Sequence, residues 1–221
     1  MSALLAALRK DALLQWRTRT QLLAIFTFGA STLLLFSFAI GPNAEALRLH
    51  AAGFLWLSLL LSSTLTLAES FQSEMEDRAL EGLLLLPADA RVLYYAKALA
   101  NWLQLMLLGI GLVPLMVVLY DAFTPRLPEL LAVIALGTAG LSAPGTLYSA
   151  MTSQARAKQT LLPLLLFPLI VPVLLAAVKA TSLLILGDPM GQLWSWAQLL
   201  LAFDLLHWSL CGLLFGRAVE D

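Results

Sequence analysis

Apolar residues run along this chain in six stretches of membrane-crossing length, at about residues 22–40, 51–68, 98–120, 127–149, 160–182 and 194–215. A spanning helix needs roughly 20 apolar residues at 1.5 Å rise each. The pattern therefore predicts an all-α membrane protein, a single transmembrane domain over 1–221 with six spans. Two polar segments interrupt it. Residues 3–19 place Leu5, Leu8, Ala12, Leu13 and Trp16 on one side and Arg9, Lys10, Arg17 and Arg19 on the other, as an interfacial amphipathic helix lying flat on anionic head groups would. Residues 69–97, between the second and third spans, are the chain's main sustained charged segment. As a helix, this segment would set Phe71, Met75, Ala79 and Leu83 along one side and Glu74, Asp77, Arg78 and Glu81 on the others, one side to pack and one to meet a partner.

Within the spans, Ser58, Ser62 and Thr66 form a small-residue stripe, and GTAGLSAPGT from Gly137 to Thr146 makes the fourth span thin, both signs of close helix contact. The fifth span carries Pro163, Pro168 and Pro172. Each removes a backbone hydrogen bond and crowds the preceding turn, so this helix is expected to kink or break, a candidate gate beside a cavity or moving part. The connectors near 41–50 and 183–193 hold GP and GDP turn signals and are expected to be compact.

Charge placement orients the array. Ten Lys and Arg residues, Arg9, Lys10, Arg17, Arg19, Arg78, Arg91, Lys97, Arg156, Lys158 and Arg217, fall on the side of the termini and of 69–97, against Arg48, Arg126 and Lys179 on the other. The positive-inside rule puts both termini and the charged segment in the cytoplasm. Composition agrees with a bilayer: 60% hydrophobic, 12% charged, mean hydropathy +0.86 and net charge −1, a balance that excludes a broad nucleic-acid surface. The N-terminal residues predict no cleaved signal peptide.

No phosphate-binding G-x-x-x-x-G-K-[ST], no G-x-S-x-G, no H-E-x-x-H and no zinc spacing occurs in the chain. Any ATP must then be hydrolysed on another polypeptide, and no metal, catalytic residue or directly bound cofactor is expected. Asp204 and His207 lie three apart in the sixth span, share a helical face and could pair. The choice is between a fastening of the bundle and a substrate or proton role, since an ionisable group at depth costs on the order of 3 kcal/mol to bury charged. His50, at the external mouth of the second span, is a polar boundary residue or a haem ligand; Trp56, Trp102, Trp194 and Trp196 suit interfacial belts.

Several short matches occur in order: AIGP at 39–42, LLSS at 60–63, D-x-x-L-E-x-L-x-L-x-P from Asp77 to Pro87, AK at 96–97, GTAGLSAPG at 137–145 and LLPLLLFPLIVPVLL at 161–175. With the length and the six spans, they make the whole chain resemble the CcmB family, membrane permease subunits of the ABC-type haem exporter system of bacterial cytochrome c maturation. The resemblance implies an ABC-2-like permease of the inner membrane in which the segment between spans two and three is a coupling helix docking on an ATPase. Carried over, docking falls to Glu76, Asp77, Leu80, Glu81 and Leu84, with Pro87 ending the helix. It also implies partners: a CcmA-like ATPase, a CcmC-like haem-handling subunit, a small CcmD-like single-span subunit and a periplasmic CcmE-like haem chaperone. Haem would be a cargo of the complex and ATP a ligand of the ATPase. The tryptophan-rich haem motif of the CcmC-type subunit is absent, WSW at 194–196 being too short. The rival readings are an ABC-2-type exporter of polysaccharide or drug, a non-transporting scaffold for a haem-handling subunit, and an intramembrane enzyme using Asp204 and His207.

Overall fold

The structure, a computed structural model, describes residues 19–70, 90–152 and 158–220. They form six helices: α1 Arg19–Ile40, α2 Ala44–Glu69, α3 Ala90–Tyr120, α4 Leu127–Thr152, α5 Lys158–Leu186 and α6 Leu193–Glu220. Each contains a segment long and apolar enough to cross a membrane. Residues 3–18, expected as an interfacial helix, and 71–84, expected as a coupling helix, lie outside the described residues.

Local chemistry sets the helix ends. The Asn43 side chain accepts from Ala46 N–H at 3.1 Å and starts α2, so the helix takes in Arg48 and His50 ahead of the apolar stretch. Both carboxylate oxygens of Asp188 accept from the start of α6, from Gln192 N–H at 2.8 Å and Leu193 N–H at 2.9 Å. The Leu193 N–H, supported by that of Gln192, holds the Asp188 carboxyl below its ordinary range. α1 and α5 each end on a glycine in the left-handed region, Gly41 at φ 77° and Gly187 at φ 103°. Their N–H groups donate four residues back, to Ser37 and Leu183 carbonyls. The last carbonyls of α5 are met from other elements: Thr124 Oγ donates to Leu184 at 2.7 Å and Arg48 to Ile185 at 3.2 Å.

α4 is the hub. It packs against α2, α3, α5 and α6, which also contact one another in the order α2, α5, α6, α3 and back to α2, while α1 leans on α2 and α3 from outside. Of the membrane-length window of α4, 72% is buried, against 17% of that of α1. Small residues permit this. The Trp56 ring lies flush against Gly137, where a Cβ would come within 2.7 Å of its Cζ3, and its indole N–H donates to Thr181 Oγ1 at 2.9 Å, tying α2 to α5 across α4. Trp56 is wholly buried; the expected interfacial placement is wrong for it, because the Gly137 notch and the Thr181 hydroxyl give its ring and its N–H a place inside. Trp102 is half-buried with its N–H on the Ala135 carbonyl of α4 at 2.8 Å, whereas Trp194 stands exposed at the start of α6.

The fifth span does not break. α5 runs as one helix through all three prolines, with Pro168 and Pro172 exposed on the bundle's outer side and Pro163 half-buried. A proline at i leaves the carbonyl of i−4 without its helical donor. The carbonyls freed by Pro168 and Pro172, those of Leu164 and Pro168, belong to exposed residues of the same outer face. Pro114 and Pro144 likewise sit inside continuous helices.

Gly137→Ala is expected to lower stability by roughly 1–3 kcal/mol, the usual cost of forcing a methyl into a filled site, and Trp56→Phe in that background to recover part of it. Thermal unfolding of the detergent-solubilised protein measures both.

Candidate functional site

Helix polarity alternates, so residues 70 and 90, the two ends that flank residues 71–89 of the charged segment, come to the same end of the bundle as the C-terminus of α4. Buried hydroxyls bind that end together. Ser149 Oγ of α4 donates to the Leu67 carbonyl of α2. Ser142 Oγ of α4 donates to the Ala98 carbonyl of α3 at 2.6 Å, and Tyr94 OH of α3 donates to the Ala143 carbonyl of α4 at 3.0 Å. At the centre is Asn101, 2% exposed. Its Oδ1 accepts from Ser70 Oγ at 3.0 Å and its Nδ2 donates to Thr146 Oγ1 at 2.9 Å. Thr146 in turn donates to the Ser142 carbonyl at 2.7 Å. Among lipid chains there is little hydrophobic drive between helices, and close contacts and interhelical hydrogen bonds carry association. Here both are present, because Gly145 lets Leu67 seat directly on the α4 backbone.

The sequence-named docking residues Glu76, Asp77, Leu80, Glu81, Leu84 and Pro87 lie outside the described residues. What the structure gives is the frame on which that segment is hung. Asn101 was not singled out in the sequence, although a lone carboxamide inside an apolar span is itself a signal of interhelical bonding.

Asp204 and His207 are not joined. His207 Nδ1 donates to the Phe203 carbonyl one turn back at 2.9 Å and its ring stacks on Phe203 with centroids 3.7 Å apart. Asp204 is 7% exposed with neither carboxyl oxygen hydrogen-bonded. It faces α4 and α5, its Oδ1 only 2.9 Å from where a Cβ on Gly140 would stand, beside Val173. His207 finds a backbone acceptor on its own helix, so the i, i+3 spacing does not become a bond. The expected bond between the two is therefore not made, and His207 donates to a carbonyl instead, that of Phe203 on its own helix. Among the described residues no group of three His, Cys, Asp or Glu side chains could hold a metal ion. His50 is exposed, with its ring tilted against Phe54 at 6.0 Å. Cys211 is free and buried.

Asp204→Asn is expected to leave the thermal midpoint unchanged or higher, since no hydrogen bond is lost and a carboxylate that costs on the order of 3 kcal/mol to bury is removed. A midpoint lowered by several degrees would show that the carboxyl holds a partner.

Comparison with known proteins places the whole bundle. The family profile described as CcmB protein matches residues 2–221. The chain is 32% identical over 198 residues to heme exporter protein B of Pseudomonas aeruginosa, covering 90% of this chain and 89% of that one. It is 36% identical over 169 residues to heme exporter protein B of Paracoccus denitrificans, covering 76% and 78%. The heme exporter protein B of Haemophilus influenzae is 30% identical over 187 residues, 85% of each chain. With six membrane-length helices and a family match across nearly every residue, this chain is a multi-pass membrane protein belonging to the CcmB family.

Proposed function

We propose that the chain is the membrane permease subunit of an ABC-type haem exporter complex acting in cytochrome c maturation, and that it works by conformational change and not by chemistry of its own. The observation that carries this is the family match over residues 2–221, joined to a six-helix bundle of spanning length. The ATP chemistry belongs to a CcmA-like partner, because the chain has no phosphate-binding loop. The bundle is ABC-2-like and sits in the bacterial inner membrane with both termini cytoplasmic, as the ten-to-three split of basic residues supports.

In this reading Glu76, Asp77, Leu80, Glu81 and Leu84, ended by Pro87, form the coupling helix on which the ATPase docks, and residues 3–19 lie along the membrane surface. Closure of two ATPase subunits displaces the docked segment, and α2 and α3 carry the displacement towards the outer face. The work is delivered to haem export or to release of a haem-loaded CcmE-like chaperone, in a complex that includes CcmC-like and CcmD-like subunits. Pro163, Pro168 and Pro172 weaken the hydrogen-bond ladder of α5 and make it the helix that yields first.

Glu81→Lys is expected to lower cytochrome c maturation by about tenfold or more, since a reversed charge at a docked surface costs several kcal/mol, while membrane insertion stays intact. Haem-stained cytochrome c in cells complemented with the variant, alongside its membrane content, is the measurement. Normal maturation with normal ATPase association would contradict the docking assignment.

A further inference from the structure

Ser70 is the last described residue before the 71–89 segment, and the described part of α3 begins immediately after that segment. Every path from that segment into the membrane starts on α2 or α3, and both meet α4, the most deeply buried of the six spans. Something has to join the two flanks to the hub. Apolar contacts do this poorly, because methyl groups slide past one another at little cost, whereas a hydrogen bond holds its partners in one register and direction. A carboxamide is suited to three-body joining: it offers an acceptor at one corner and donors at the other on a short, flat frame.

We infer that Asn101 is the positioning residue that locks both flanks of the 71–89 segment to α4, so that a displacement at the segment enters the bundle through the Ser70–Asn101–Thr146 bridge. The inference rests on the docking reading above and deepens it. Asn101 belongs to the downstream flank, receives Ser70 of the upstream flank on Oδ1, and gives its amide N–H to Thr146 of α4. From Thr146 the bonding passes to the Ser142 carbonyl, and the Ser142 hydroxyl returns to the Ala98 carbonyl of α3, one turn before Asn101. The result is a closed circuit between α3 and α4 that Ser70 joins to the upstream flank, beside the direct bond from Ser149 of α4 to the Leu67 carbonyl. Buried as it is, this circuit excludes the water that would otherwise replace any bond that opened. Towards the middle of the bundle, α2 meets α4 through the Trp56 ring on Gly137, an apolar contact with no such register.

The test uses the full chain in its native complex, with ATP as the probe, and reads ATP hydrolysis by the purified complex together with holocytochrome c formed in cells. Asn101→Leu and Thr146→Val are expected to retain ATPase association and hydrolysis, but to lower holocytochrome c formed per ATP roughly three- to tenfold, the scale of one or two interhelical hydrogen bonds in a membrane bundle. Thr146→Ser, which keeps the hydroxyl, is expected to stay near the native ratio. A bridge that only fastens the bundle would instead lower both readouts together and leave their ratio unchanged, and that result overturns the inference. So does Thr146→Ser falling as far as Thr146→Val. If Asn101→Leu fails to insert, the Thr146 pair decides alone. Failure of the native chain to retain any ATPase is seen before a variant is made, and removes the docking reading itself together with the role given to Asn101.

Discussion

The close approach of four helices to α4 is the constraint on which the rest of the bundle depends. In lipid, a leucine loses nothing by facing an acyl chain in place of another helix, so contact has to be won by proximity and by directed bonds. α4 supplies both. Gly137, Gly140 and Gly145 leave its backbone bare to Trp56 and Leu67 of α2 and to Val173 of α5. Ser142, Thr146 and Ser149 then convert that proximity into hydrogen bonds that reach α2 and α3. A helix of ordinary bulk at this position would push the surrounding spans apart and leave the hydroxyls out of reach.

This arrangement divides the bundle into two mechanically different ends. Where α2 and α3 flank the charged segment, polar groups hold them in register with α4. At the opposite end, bonds from connectors and helices combine: glycine-ended helices, the Asp188 cap, the Thr124 and Arg48 bonds to the last carbonyls of α5, and the Tyr120 hydroxyl on the Leu33 carbonyl of α1. The membrane subunit of an ATP-driven complex has to receive force at one face and respond at the other. A rigid polar base beneath the charged segment and a central helix that touches four others meet the first requirement. Under the proposed function α5, whose three prolines lie between its start and its midpoint, is the candidate element to yield.

Much of this was legible in the sequence for definite reasons. Six apolar runs of spanning length leave few alternatives to six helices, and the small residues from Gly137 to Thr146 announced a tightly packed fourth span. Helix ends were harder. α2 starts at Ala44 because Asn43 caps it, and α3 takes in Arg91 to Lys97 ahead of the apolar run, so hydropathy underestimates both. Tertiary detail overrode local rules at Trp56, where a notch on another helix outweighs the interfacial preference of tryptophan. The same holds at His207, which donates to a carbonyl of its own helix in place of Asp204. The Asn101 bridge depends on three residues far apart in the chain, and no spacing rule brings Ser70, Asn101 and Thr146 together.

The central claim is that this chain serves a separate ATPase. Its most direct test is mass spectrometry of the proteins retained by the tagged chain after gentle extraction from its native membrane. The account predicts an ABC-type ATPase among them, together with haem-handling membrane subunits. Recovery of other membrane partners without any ATPase would contradict it.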